Sequence, residues 1–163
     1  MFRISHEIRI AAPADRVWAV TADIERWPDW LPTVTAVRRL TKRPFGPGSR
    51  FELKQPFQRA AIWELTGITP GRSYTWRRSP GRMLRLLARH QLLNNGANTF
   101  CRLSLVCSGP LAIWLRPILV PLLRAALARE NAALKTRCEA RTSPPHARPV
   151  RPHVPLKRGV DAT

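Results

Sequence analysis

The stretch IRIAAPADRVWAVTADIERWPDWLP, residues 8–32, decides how the chain folds at its start. Residues 3–10 alternate between apolar and polar side chains, which predicts a first β-strand. A helix should follow, because Pro13 suits the first turn of a helix and Asp15 is favourable near its positive end. The stretch therefore predicts a strand that leads directly into a short amphipathic helix.

The end of this stretch, DIERWPDWLP, predicts a corner. Pro28 cannot continue a helix interior, and Pro32 biases the residue before it to an extended conformation. One helical turn over residues 28–31 fits between these limits. Trp27 and Trp30 suit three roles here: packing at a structural corner, an aromatic platform for a ligand, or an anchor on a membrane surface.

Six further segments alternate in the manner of strands and are separated by turn residues rich in proline, glycine and asparagine. These spacings favour antiparallel neighbours in one meander. The segments are TVTAVRRL (33–40), SRFELKQ (49–55), RAAIWELTGI (59–68), RSYTWRRS (72–79), MLRLLARHQLL (83–93) and NTFCRLSLVC (98–107).

Residues 111–141 predict one long C-terminal helix whose first turns are distorted by Pro117 and Pro121. Asn131 is assigned to its polar side. The apolar stripe of this helix consists of Leu119, Leu123, Leu127, Leu134 and Cys138. A single helix laid across a curved sheet covers its apolar face and leaves a cavity beneath. The predicted fold class is therefore α+β, a curved antiparallel sheet of about seven strands with two short helices and one long C-terminal helix over a cavity.

Composition divides the chain in two. Residues 1–141 carry enough apolar material for one folded domain. Residues 142–163 are rich in proline and arginine and contain no aromatic residue, so they cannot bury enough apolar surface to fold. We expect this segment to be a disordered tail.

The net charge of +18 points to anionic partners. A basic adaptor for anionic membranes or nucleic acid is therefore one hypothesis. No helix-turn-helix, zinc-finger or RNA-recognition motif accompanies the charge, so we expect no specific nucleic-acid recognition and at most weak association with anionic membranes.

The three cysteines, Cys101, Cys107 and Cys138, form no CxxC pair, which favours buried thiols in a reducing cytoplasm over a disulfide framework. The sequence predicts no metal site, because no two metal-ligating side chains fall at ligand spacing within one element. It also contains no phosphate loop and no dinucleotide fingerprint, so no cofactor is expected.

Taken in order, five segments resemble the SRPBCC (START-like, helix-grip) superfamily, and specifically its bacterial polyketide cyclase/dehydrase-type members. They are IRIAAPADRVWAVTADIERWPDWLP, GPGSRFELKQP, TPGRSYTW, SGPLAIWLRPIL and ENAALKTRCE. The resemblance covers nearly all of residues 1–141. It implies that the WPDW stretch closes one end of the cavity, with Trp27 and Trp30 at its rim.

His90 is the candidate for chemistry, because alternation places it among leucines on the concave face. It fits a general acid/base or a donor to a ligand carbonyl, and it equally fits a core histidine bonded to a neighbouring strand. Tyr74 and Trp76 share one inward face, and Trp63 and Leu65 share another. The full expected ligand-binding set is Trp63, Leu65, Tyr74, Trp76, Leu84, Leu86, His90, Leu103, Leu105, Leu115, Leu119 and Leu122.

Two functions follow from the resemblance and these residues. The leading one is binding of a small hydrophobic or amphipathic ligand, such as a lipid, an isoprenoid or quinone, or an aromatic or polyketide-like metabolite. The alternative is an enzyme of the polyketide cyclase, aromatase or dehydratase type with His90 as acid/base.

Overall fold

The structure, a computed structural model, describes residues 1–56, 58–78, 81 and 83–140. The predicted tail, 142–163, lies outside the described residues. The strands are β1 (Phe2–Ile10), β2 (Ala36–Arg39), β3 (Arg50–Lys54), β4 (Ala61–Thr69), β5 (Ser73–Arg78), β6 (Arg85–Asn95) and β7 (Asn98–Ser108). The helices are α1 (Ala14–Ala22), a 3₁₀ helix (Ile24–Asp29), α2 (Pro110–Trp114) and α3 (Arg116–Glu139).

All seven strands form one curved antiparallel sheet in the order β1-β7-β6-β5-β4-β3-β2. This confirms the predicted α+β helix-grip architecture. Each strand after β1 pairs with the next along the chain, and β1 closes against β7. The sheet is therefore a simple meander, which is what the short turns between the alternating segments predicted.

The apolar face of the sheet is covered in two halves by different elements. Under α3 and α1, side chains of β1, β6 and β7, such as Ile10 and Leu103, form one buried cluster with Leu134 of α3. Under the 3₁₀ helix, side chains of β3, β4 and β5 form a second cluster that includes Phe51 and Leu65. The first segment of the chain thus covers the half of the sheet that α3 does not reach.

The corner differs from its predicted form. The helical segment is a 3₁₀ helix that begins at Ile24, and Pro28 lies inside it instead of starting it. A proline is tolerated there because the hydrogen bonds of the neighbouring turns do not use its missing N–H: the Arg26 amide donates to the Asp23 carbonyl at 3.1 Å, and the Trp30 amide donates to the Trp27 carbonyl at 3.2 Å.

The C-terminal helix differs from its prediction in two places. It is interrupted at Leu115, since Pro117 has no N–H to continue the α-helical ladder from α2. Asn131, assigned to the polar side, is fully buried. Its Nδ2 atom lies 2.9 Å from His6 Nδ1 and donates to the His6 carbonyl at 3.1 Å, so the donor end of the amide is satisfied in the buried stripe, whereas its Oδ1 has no partner among the described residues.

None of the helices within the described part of the chain combines the length and the apolar character needed to cross a membrane.

Gly109 joins the sheet to α2 in a conformation that other residues rarely adopt, with φ of 104°. A Cβ atom at this position would overlap the carbonyl oxygen of Met83. The same carbonyl accepts a hydrogen bond from the Leu111 amide at 3.1 Å. Gly109 therefore allows α2 to sit directly on the entry to β6.

We expect Gly109→Ala to lower the free energy of unfolding by about 2–4 kcal/mol, because it adds a backbone clash to an unfavourable φ. Gly96→Ala is the matched control. Gly96 also has a positive φ, 64°, but nothing lies within 4 Å of its Cβ position, so a loss of only about 1 kcal/mol is expected. Urea unfolding of both variants measures the difference, and equal losses would contradict the role assigned to Gly109.

Candidate functional site

His90 lies at the centre of the inward face of the sheet. In the strand register it stands opposite Tyr74 of β5 and Leu103 of β7. Its side chain is 6% exposed, and its ring stacks on the ring of Tyr74 with centroids 4.4 Å apart. The predicted inward position of His90 is confirmed, since it is buried while the preceding residue of β6, Arg89, is exposed.

Glu130 of α3 is the polar partner of His90. Its Oε1 atom lies 3.5 Å from His90 Nε2, and its side chain is 21% exposed. The partner of the histidine is therefore a helix carboxyl and not a residue of a neighbouring strand. A carboxyl group and an imidazole meet between the sheet and the helix.

Burial shifts the pKa of both groups towards their neutral forms. It raises the pKa of Glu130 to about 7 and lowers the pKa of His90 to about 3. Near neutral pH the imidazole is uncharged, and the carboxyl is close to the midpoint of its own titration. One proton can therefore be taken up or released by this pair without the cost of an imidazolium ion in the interior.

Two buried polar atoms beside this pair have no hydrogen-bond partner among the described residues: Nδ1 of His90 and Nε1 of Trp76. The two rings lie with centroids 5.7 Å apart. Buried polar groups are nearly always paired in folded proteins, so an unpaired donor and an unpaired imidazole nitrogen in one cluster mark a place where a ligand or a water would be held.

The hydroxyl of Tyr74 is already committed to α1. It donates to the Thr21 carbonyl at 3.1 Å and lies 3.1 Å from Thr21 Oγ1. Burial raises the pKa of Tyr74 well above its usual value, so the phenol stays protonated. Tyr74 contributes a ring face to the site and fixes α1 on the sheet.

Trp27 and Trp30 take different positions in the corner. Trp27 is 2% exposed, and its Nε1 donates to the Thr21 carbonyl at 3.1 Å. Its ring meets that of Trp76 edge-on, with centroids 5.1 Å apart. Trp30 is half-buried and packs against Trp27. Of the two expected rim residues, Trp27 thus belongs to the wall next to His90, whereas Trp30 reaches the surface.

The leucines and Trp63, which were expected around a ligand, differ in how deeply they are buried. Leu65, Leu103 and Leu105 are buried, whereas Trp63, Leu84, Leu86, Leu115 and Leu119 are half-buried. Leu122 is not brought into the interior: it is 59% exposed. The reason is the helical phase of α3, in which Leu119 and Leu123 turn towards the sheet and Leu122 turns away.

A groove of about 330 Å³ lies apart from this cluster. It runs between β1 and the first half of α3. Its walls are formed by Phe2, Arg3, Ile4, Arg116, Pro117, Val120, Pro121 and Arg124. None of the residues expected from the sequence to bind a ligand lines this groove.

Glu130 and Thr21 did not enter the candidate set obtained from the sequence. The signal for Glu130 was its place one turn after Leu127 and one turn before Leu134, both of which are buried on α3. A search restricted to apolar positions overlooks it. Within the described residues, no group of three or more His, Cys, Asp or Glu side chains is placed to hold a metal ion.

A profile of the family described as polyketide cyclase/dehydrase and lipid transport matches residues 1–139. No curated protein sequence matches the chain significantly.

Solved structures share the fold at low sequence identity. XoxI from Bacillus cereus is 18% identical with a TM-score of 0.71, over 85% of this chain and 96% of that one. A START superfamily protein from Mycobacterium smegmatis is 18% identical with a TM-score of 0.66, over 84% and 97%. The Zhui aromatase/cyclase from Streptomyces sp. R1128 is 20% identical with a TM-score of 0.63, over 85% and 96%.

The match over residues 1–139 and the curved sheet gripping one long helix lead to the same assignment. The chain belongs to the polyketide cyclase/dehydrase and lipid transport family of the SRPBCC (START-like, helix-grip) superfamily, as its ordered sequence motifs predicted.

Proposed function

We propose that the chain binds a small amphipathic molecule between the sheet and α3, with an aromatic or other flat apolar body and a hydroxyl or carbonyl group at one end. The observation that carries this proposal is the pair of unpaired buried atoms, His90 Nδ1 and Trp76 Nε1, within an otherwise aromatic cluster. The family description, which includes lipid transport, supports a hydrophobic ligand.

The polar end of the ligand follows from the chemistry of the pair. When Glu130 is ionised, the His90 proton sits on Nε2 facing the carboxylate, and Nδ1 is an acceptor. Trp76 Nε1 is always a donor. A hydroxyl or enol oxygen satisfies both, because it accepts from Trp76 and donates to His90. When Glu130 is protonated, its OH donates to Nε2 and Nδ1–H becomes a donor, which suits a carbonyl.

The apolar end is set by the rings and leucines around His90. Tyr74 stacks on the imidazole, Trp76 and Trp63 lie with centroids 5.1 Å apart, and Leu103 is buried beside them. Burial of apolar ligand surface here provides about 25 cal/mol per Å² of driving force. Entry would be expected at the first half of α3, where Leu119, Val120 and Leu123 are only partly buried.

A second function, acid/base catalysis, is favoured by the 3.5 Å contact between His90 and Glu130. In the ionised state Nδ1 can accept a proton from a carbon next to a ligand carbonyl, while Nε2 passes its proton to Glu130. The proton count balances: one C–H is broken, one N–H forms on Nδ1, and the carboxylate becomes a carboxyl. The reverse transfer returns the proton to another carbon or to the enolate oxygen.

The hydroxyl preference is tested with 2-naphthol and naphthalene, two flat probes that differ by one OH, in equilibrium dialysis against the full chain. We expect 2-naphthol to bind about tenfold more tightly, which corresponds to about 1.4 kcal/mol of hydrogen bonding. In Trp76→Phe, which keeps an aromatic ring but loses the N–H, this preference should become clearly smaller, because the hydroxyl keeps only its hydrogen bond to His90.

Trp114→Phe is the control, because Trp114 is exposed and lies outside the cluster. Equal affinity for the two probes in the native chain would overturn the assignment of a polar subsite, and no binding of either probe would overturn the internal site itself.

Glu130→Gln tests the buried carboxyl through the pH dependence of stability. In the native chain the raised pKa of Glu130, about 7, means that folding favours the protonated form. The stability this contributes is present at low pH and is lost as pH rises from about 4.5 through 7, amounting to up to about 3 kcal/mol. Glu130→Gln should not show this loss.

This loss is measured by urea unfolding at pH 5 and pH 8. At each pH the free energy of unfolding of Glu130→Gln is compared with that of the native chain. His90 is present in both proteins, so its own titration largely cancels. Glu64→Gln is the control, because Glu64 pairs with Arg77 at 3.2 Å on the outer face of the sheet. A pH dependence that is the same in all three proteins would contradict the buried state of Glu130.

Catalysis is tested separately by the exchange of α-protons of 2-tetralone in deuterated buffer, followed by NMR. We expect the native chain to accelerate exchange and Glu130→Gln to lose about 10²-fold or more of that acceleration, because the relay then lacks its terminal proton acceptor. Glu64→Gln should exchange at the native rate. If 2-tetralone binds and exchanges no faster than in buffer, the chain is a binding protein and the catalytic alternative is excluded.

A further inference from the structure

One end of the molecule exposes four large apolar side chains on consecutive turns of α2 and α3. Ile113, Trp114, Ile118 and Leu122 are 62%, 84%, 66% and 59% exposed. We call these four residues the docking face. A tryptophan with most of its surface in water is unusual, and a contiguous group of such residues marks an interaction surface.

The docking face lies on the side of α3 that turns away from the sheet. Leu119 and Leu123, which alternate with Ile118 and Leu122, pack against the core. The first half of α3 is therefore apolar on both sides, whereas in its second half Leu127, Leu134 and Cys138 are buried and residues such as Arg137 are exposed. Core packing accounts for one side of this segment, and the other side has no partner within residues 1–56, 58–78, 81 and 83–140.

The segment that carries the docking face is basic. The segment from Pro110 to Arg129 contains Arg116, Arg124 and Arg129 and no acidic residue. On the flank of α3, Arg3, Arg116 and Arg124 line the groove of about 330 Å³. Within the described part of the chain these three arginines take part in no salt bridge, although acidic residues elsewhere in the chain are paired with arginines.

We propose that this end of the molecule binds the surface of a lipid bilayer that contains anionic headgroups. The docking face would enter the boundary between headgroups and acyl chains, where tryptophan and branched aliphatic side chains are favoured. Arg116, Arg124 and Arg3 would contact the phosphates, since the negative surface potential of an anionic leaflet attracts basic residues near it. The combination of an apolar face with unpaired arginines fits a lipid surface better than an apolar protein partner.

This proposal does not depend on the internal ligand. A bilayer can be bound whether or not the cluster around His90 holds a molecule, and the two experiments use different probes and different residues.

The first test is co-sedimentation of the full chain with vesicles of phosphatidylcholine, with and without about 30 mol% phosphatidylserine. The overall charge of the chain alone can bind anionic vesicles, so the decisive variants keep that charge unchanged. We expect Trp114→Ser with Ile118→Ser to weaken binding to the phosphatidylserine vesicles at least tenfold, and to leave the urea midpoint near that of the native chain because both side chains are exposed.

Ile62→Ser with Leu87→Ser is the matched control, because each of these residues is 42% exposed on the outer face of the sheet. A second comparison uses two double variants that each remove two exposed arginines and therefore the same charge. One combines Arg116→Ala and Arg124→Ala, and the other combines Arg72→Ala and Arg89→Ala. The first pair should weaken vesicle binding more than the second.

Equal losses in the two arginine pairs, together with no effect of the serine variant, would show that the binding is diffuse and overturn the proposal. Size-exclusion chromatography with light scattering tests whether a second copy of the chain, instead of a bilayer, covers the docking face. A native dimer that becomes a monomer in Trp114→Ser with Ile118→Ser would assign the docking face to a second copy of the chain and likewise overturn it.

Discussion

The width of the sheet is the constraint on which the rest of this structure depends. Seven strands spaced about 4.8 Å apart present an apolar face roughly 30 Å wide, whereas a helix with its side chains is only about 10–12 Å across. One long helix cannot cover that face. The 3₁₀ corner with its tryptophans covers the other half, which is why two separate buried clusters exist. The WPDW stretch is thus first of all a structural cover.

The two covers meet above His90, and this meeting line decides the chemistry of the site. From the side of α3 comes Glu130, and from the side of the corner comes Trp27, whose ring lies with its centroid 5.8 Å from that of His90. Neither cover alone would bury the imidazole. Because both exclude water, the pKa of the carboxyl is raised to about 7 and the imidazole stays uncharged near neutral pH. The N–H of Trp76 has no partner among the described residues.

Features that depend on alternation, turn residues and the order of segments could be predicted from the sequence. They predict the seven strands, the inward position of His90 and the family. In a sheet with one apolar face, apolar and polar residues alternate along each strand, so the sequence shows which side chains face the core. Asn131 and Glu130 could not be placed, since each is a polar residue on a buried helical stripe and its partner lies far away in the sequence. Leu122 was misplaced for the converse reason: an apolar residue near a buried stripe need not belong to it.

Asn131 ties α3 to the first strand, and this determines how the helix can move. Its amide binds His6 of β1, so α3 cannot slide along the sheet without breaking buried hydrogen bonds. Beyond Asn131 the helix is held to the start of the chain as well: Lys135 Nζ donates to the Arg9 carbonyl at 2.9 Å, and Glu139 Oε1 accepts from the Ala11 amide at 2.6 Å. In the first half of α3, by contrast, Leu119, Val120 and Leu123 pack against the core while only partly buried. The helix is therefore anchored at its C-terminal end, and the end near Leu119 is where the grip opens at the lowest cost.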